Sequence, residues 1–274
     1  MNLLAIISSY FPSLTKSEQK VAQFVLTNPD EVENYSINEL AEFAEVGEST
    51  VVRFCRKVGF PGFQDFKIAL AKNQTTQFTP GVAEEEGLKG IVYHQLVESL
   101  TETKQFMENE EIDQAAELID QAERIFLFGV GNTLATITEL RNRLSRIGFQ
   151  VIYSADSHLQ AIDAALMTDK DVAVALSISG NTKDVLVNIK IAKEQGAKVI
   201  AITNYIKSAI TKTADLALIC SAKEAATDAG SFANKIAQLY LLDVLCKSVA
   251  ERNKEHVHEL RKRTNKALME RLES

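Results

Sequence analysis

Apolar positions change their spacing along the chain. From Leu14 to about Ala71 they recur at helical intervals. Leu14, Val21, Phe24 and Val25 share one face, with Thr15 or Ser17 placed to cap its start. Asn28-Pro29 ends that helix, and Ser36 caps a short one whose apolar stripe is Ile37, Leu40 and Ala41. A further stripe, Val51, Phe54, Cys55 and Val58, falls at i, i+3, i+4 and i+7. Residues 73–87 then lose periodicity and collect Thr79-Pro80-Gly81 and Glu84-Glu85-Glu86, the composition of a linker.

Beyond residue 88 the pattern becomes one of helices and short strands. Helices are predicted over Leu88–Met107 and Ile112–Ala122. Short apolar runs follow at Arg124–Gly129, Val151–Ser154, Val172–Ser177, Val199–Thr203 and Leu216–Cys220, separated by helical stretches. The runs are continuous rather than alternating, as in strands covered on both faces of a parallel sheet. Two long helices, about 227–250 and 254–272, close the chain. The predicted fold is an all-α N-terminal domain (1–77), a linker (78–87) and an α/β, three-layer, doubly wound C-terminal domain (88–274) with a five-stranded parallel sheet.

The composition narrows the function. The chain has 274 residues, 46% of them hydrophobic and 24% charged, as in an ordinary globular protein. No apolar run approaches the ~20 residues of a membrane helix, and Met1–Leu14 lacks the basic start of a secretory signal. Cys55, Cys220 and Cys246 cannot all pair and share no metal-ligand spacing, which fits reduced thiols in a cytosol and predicts no metal. His256 and His258 point to different faces of a helix, and His94 stands alone. No cofactor is predicted. The net charge of −7 argues against a protein that coats nucleic acid without specificity.

Charge is uneven within the first domain. Residues 28–48 hold seven acids and no Lys or Arg, whereas 49–72 hold five bases and one acid. A basic face beside an acidic one suits an anion, although a solvated helix surface gives the same run. Ser36–Ala44 and Glu48–Val58 are helices joined by Glu45-Val46-Gly47, the helix-turn-helix pattern. With Val51, Phe54, Cys55 and Val58 inward, Thr50, Arg53 and Lys57 are expected together on the opposite face, flanked by Ser49 and Arg56. Such a face enters the major groove, where Arg and Thr reach base edges and Lys holds phosphates. A plain helical hairpin is the alternative.

Two loops at strand ends carry the other candidate chemistry. Leu176-Ser177-Ile178-Ser179-Gly180-Asn181-Thr182 leaves a strand and opens a helix, so the hydroxyls of Ser177, Ser179 and Thr182 can converge. Gly180 permits close backbone approach, and the free amides of a helix start favour an anion. Gly129-Val130-Gly131-Asn132-Thr133 repeats the arrangement after the first strand. Neither loop matches a nucleotide-binding pattern, so a phosphate on a small molecule is the expected guest.

In combination these motifs resemble the RpiR family of bacterial regulators that respond to sugar phosphates. The resemblance rests on Leu14-Thr15-Lys16-Ser17-Glu18, Ser49 through Phe60, Gly62-Phe63, Lys67, the two strand-end loops, Ala201-Ile202-Thr203-Asn204, Glu224 and Ile236-Ala237-Gln238-Leu239. It implies a helix-turn-helix domain joined to a SIS (sugar isomerase) domain. It also implies a cytoplasmic repressor, more than an activator, of sugar or amino-sugar catabolism genes, with a double-stranded DNA operator as partner. Carried onto this chain, it puts Gly131, Thr133, Ser177, Ser179, Gly180, Asn181 and Thr182 on the phosphorylated sugar, with Glu224 facing the sugar and Asp156 and His158 reaching its hydroxyls. Thr133 stands where Ser is usual, and Asn234-Lys235 where Ser-Arg is common. Lys67 joins the DNA-facing set. One short helix cannot supply specific affinity alone, so a homodimer or homotetramer is expected. The rival reading is an aldose–ketose isomerase using Glu224 and His158 as acid and base.

Overall fold

The computed structural model describes residues 2–74, 87–220 and 232–269. Its N-terminal part is all helix: α1 (Leu3–Tyr10), a 3₁₀ turn Phe11–Ser13, α2 (Lys16–Thr27), α3 (Pro29–Val32), α4 (Ile37–Phe43), α5 (Glu48–Lys57) and α6 (Phe63–Gln74). Two capping boxes explain two of the starts. Thr15 and Glu18 cap each other's free amides at α2, and Ser36 and Glu39 do so at α4. Pro29 opens α3 from the position where its missing N–H costs nothing. One core holds these helices together, from Leu3, Leu4 and Ile7 through Val21, Leu40, Val51 and Phe54 to Phe66 and Leu70.

The sequence reading assigned no structure before Leu14, so α1 is an addition. Six of its eight residues are buried, including Ser8 and Ser9. A helix covered nearly all round shows no amphipathic period, which is why the pattern missed it. Leu3, Leu4 and Ile7 lie in the N-terminal core at about 1.5–3 kcal/mol each. Ala5 faces the other way, into a small cluster with Phe106 and Ile219 of the C-terminal domain.

That domain opens with α7 (Gly87–Phe106) and α8 (Asn109–Gln121). Five parallel strands follow: β1 (Ile125–Phe128), β2 (Val151–Tyr153), β3 (Val172–Leu176), β4 (Lys198–Thr203) and β5 (Leu216–Ile219). Between them run α9 (Leu134–Arg146), α10 (Ser157–Ala165), α11 (Lys183–Glu194) and α12 (Ala209–Thr213). The strand order is β2-β1-β3-β4-β5, a doubly wound sheet as predicted. Alternate residues enter opposite cores. Ile125, Leu127, Val174, Leu176 and Ile202 meet the side built on α8, α9 and α13 (Phe232–Arg252). Phe126, Phe128, Ala173, Ala175 and Ala201 meet the side of α10 and α11. The final helix, α14 (Lys254–Met269), joins the first of these cores through Val257. Arg124 clamps the buried Asp171 through two bonds, 2.9 and 2.6 Å, where β1 and β3 begin.

All three cysteines are free and buried, and burial pushes each thiol up to about 12. Among the described residues no helix is long and apolar enough to cross a membrane.

Candidate functional site

The chain leaves β1 for β2 on one side and later returns through β3 on the other. The crevice between the ends of β1 and β3 is therefore the switch point where doubly wound sheets take ligands. Both hydroxyl loops sit there. Ser177 continues β3, is 2% exposed, and its Oγ lies 2.8 Å from Thr182 Oγ1. Thr182 stands at the start of α11 but gives that helix no side-chain cap. The first amides of α11 thus keep their donors beside two hydroxyls and the positive end of the helix dipole. Gly180 has φ +64, and a Cβ there would strike Ser208 Oγ at 2.2 Å. Only glycine lets the loop close against the residues after β4. Ser179 is exposed, and its Oγ accepts the Asn181 N–H at 3.2 Å.

The first loop is built on similar lines. Gly131 has φ +62 and opens a 3₁₀ turn ending at Thr133, which again gives its helix, α9, no side-chain cap. The Thr133 hydroxyl donates to Val130 O at 2.9 Å. A Cβ on Gly129 would meet Ile137 Cδ1 at 2.3 Å and Leu176 O at 3.1 Å, so glycine also lets β1 and β3 converge. Lys235, in the first turn of α13, donates to Asn132 O at 2.7 Å and brings a positive charge to this loop.

Sequence reasoning gave no role to the residues that hold the loops. Gln160, 1% exposed, accepts the Gly129 N–H at 3.2 Å and donates to Gly129 O and Ser154 O, both at 2.8 Å. One side chain thereby ties the ends of β1 and β2. Thr136 donates to Gln238 at 2.8 Å, locking α9 to α13. Asn204 donates to Asn234 at 2.9 Å. Asn204 Oδ1 and Asn234 Nδ2, both buried, have no hydrogen-bond partner among the described residues. Gln160 has no motif to announce it, whereas Asn204, Asn234 and Gln238 sit in motifs quoted above.

Three further residues were expected to face the sugar. Asp156 is a helix cap: its Oδ1 accepts the N–H groups of Leu159 and His158 at 3.0 and 2.9 Å, and these bonds hold its carboxyl below the usual range. Asp156 and His158 are both exposed at the start of α10. Glu224 lies outside the described residues, so the acid–base pair of the isomerase reading has only His158 described. Among the described residues no group of three His, Cys, Asp or Glu is placed to hold a metal.

The helix-turn-helix face also differs from its wheel. Thr50 is buried, and Arg53 donates to its hydroxyl at 3.1 Å. Lys57 pairs with Glu18 of α2 at 2.6 Å and reaches Ser13 O at 3.4 Å. Burial pushes the Glu18 carboxyl up, but its bonds from Lys57 and Thr15 hold it below the usual range. Lys67 donates to Tyr35 O at 2.7 Å and lies over the Phe63 ring. Helix α5 is thus packed on two sides, with Thr50 buried and Lys57 held by α2, while Lys67 of α6 is held at Tyr35. The outward stripe is Ser49, half-buried Val52, Arg53 and Arg56, at i, i+3, i+4 and i+7.

Comparison with known proteins agrees with this architecture. Residues 1–77 match the helix-turn-helix domain of the rpiR family, and residues 118–248 match the SIS domain. An HTH-type transcriptional regulator of Haemophilus influenzae is 35% identical over 279 residues, covering 98% of this chain and 97% of its own. The chain belongs to the RpiR family of transcriptional regulators. HexR of Escherichia coli is 32% identical, covering 98% and 95% of the two chains. Among solved structures, NanR of Vibrio vulnificus, complexed with ManNAc-6P, superposes with a TM-score of 0.64 at 29% identity, covering 98% of each chain. In this RpiR-family chain the helix-turn-helix is α4–α5 and the SIS sheet carries both hydroxyl loops.

Proposed function

We propose that this regulator binds an operator through the Ser49, Arg53 and Arg56 stripe of α5, and that a phosphorylated sugar at the β1–β3 crevice sets the affinity. The phosphate dianion takes the hydroxyls of Ser177, Ser179 and Thr182, with Thr133 completing the crevice from the first loop. The open amides of α11 and the Lys235 charge add to its hold. The sugar ring then extends toward the start of α13, and Glu224 is the acidic group that the family resemblance assigns to it. A ligand known from a relative, ManNAc-6P in NanR, is of this chemical class. The regulator works in the cytoplasm as a homodimer or homotetramer, presenting two α5 helices to a palindromic site, and controls sugar or amino-sugar catabolism genes as a repressor. It turns over no substrate.

The observation that carries this reading is the pairing of Ser177 with Thr182 at an uncapped helix start on the switch point. A thermal-shift screen against phosphorylated sugars, followed by operator gel shifts with the hits, tests it. A stabilising sugar phosphate that also changes operator affinity is expected. Steady turnover of the hit by the purified protein contradicts it.

A further inference from the structure

We propose that α1 is the strut through which an anion in the Ser177–Thr182 loop acts on the DNA-reading helix, an inference that rests on the function proposed above. The route is continuous and each joint is visible. After β4, Thr203 Oγ1 and the Asn204 N–H both donate to Ile178 O at 3.1 Å. The Ile210 N–H donates to Gly180 O at 2.9 Å, and the Ala209 N–H to Asn181 Oδ1 at 3.1 Å. The segment 203–210 is thus fastened to the anion loop at both its ends. Its middle is fastened to α1. The Ile206 N–H donates to Ser9 O at 3.1 Å, and Lys207 Nζ lies 4.8 Å from the centre of the Tyr10 ring. Ile206 also packs on the cluster of Ala5, Phe106 and Ile219. At the start of α1, Asn2 caps the helix through the Leu4 N–H and donates to Glu102 Oε1 at 2.8 Å.

The other end of α1 leads to α5. The chain turns through Phe11–Ser13, where Phe11 O accepts Gln19 of α2 at 3.1 Å and Ser13 O accepts Lys57 of α5. Lys57 is also fixed to Glu18, so the turn, α2 and α5 move as one body. Packing decides which joint yields. Toward the N-terminal domain, α1 buries Leu3, Leu4 and Ile7. Toward the SIS domain it offers Ala5, a few hydrogen bonds and one cation–aromatic contact. The weaker side is the one that touches the ligand-linked segment. An anion that draws in the 177–182 loop shifts 203–210, changes the grip on Ser9 and Tyr10, and reorients the helix-turn-helix body. The anion must favour one of two arrangements for this to regulate.

The test uses the full-length protein with inorganic phosphate as probe, read by calorimetry and by amide hydrogen exchange of α1 and α5. In the wild type, saturating phosphate is expected to change exchange in both helices by about threefold or more. Ala5→Glu places a charge on the SIS-facing side of α1 while leaving the N-terminal core residues in place. It should keep phosphate affinity within about twofold and abolish the α5 response. Lys207→Ala alters only an exposed side chain, cannot unfold the protein, and should at least halve the response. If phosphate binds and α5 of the wild type does not respond, or if α5 responds as strongly in both variants as in the wild type, the strut is refuted while the site stands. If calorimetry finds no phosphate binding at all, the proposed site fails and the coupling fails with it.

Discussion

Ser177 and Thr182 show what a single residue contributes to this protein. Their hydroxyls meet at 2.8 Å across the mouth of a helix that neither of them caps. Removing one, in Thr182→Val, should weaken sugar-phosphate binding about 10–100-fold, the range for a lost hydrogen bond to a charged group, and leave the melting temperature nearly unchanged. Isothermal titration checks this. Lys57 illustrates the opposite case. The wheel of α5 places it outward, yet it neutralises a carboxylate, Glu18, whose side chain is 3% exposed. Because Lys57 is itself 38% exposed, Lys57→Ala should cost about 1–2 kcal/mol of stability rather than the larger loss of a fully buried pair. Urea unfolding measures that cost, and Arg53→Ala should weaken operator binding without it. Both residues were named from the sequence. The role of Lys57 was not legible there, because a helical wheel assumes one buried face and α5 has two.

At the level of elements, continuous apolar runs announced the five strands, since strands covered on both faces leave no alternation. Helix α1 stayed hidden because it too is covered on nearly all sides. The loops were legible as glycine and hydroxyl motifs, but not the Gln160 clamp that aligns them, since two of its bonds go to the backbone of Gly129, far away in sequence. Gly180→Ala tests the closeness of these loops. A side chain there combines a left-handed backbone with a clash on Ser208, and should cost about 2–4 kcal/mol in denaturant unfolding.

The whole molecule carries its buried charges in a way that predicts its acid response. Asp171 is pushed up by burial, but Arg124 and Thr168 more than offset this and hold it low. Asp215 is likewise held low, by Lys193 and the Val199 amide. A carboxyl with a depressed folded value stabilises the protein above its unfolded value, about 4, and the contribution disappears as pH falls through the folded value. Urea midpoints at neutral pH and near pH 3.5 should show a steep loss in the wild type and a shallower one in Asp171→Asn, which starts lower. Net charge bears on the proposed partner. A chain of net charge −7 with a small basic stripe on α5 is suited to specific contacts rather than to bulk attraction to DNA.

The proposed regulation links anion and operator through one chain. Fluorescence anisotropy of a labelled palindromic operator, titrated with the sugar phosphate selected by the thermal-shift screen, measures that link directly. The expected result is a change in operator affinity of about tenfold or more in the wild type and none at the same concentration in Thr182→Val. An operator affinity that stays constant while the sugar phosphate demonstrably binds contradicts it.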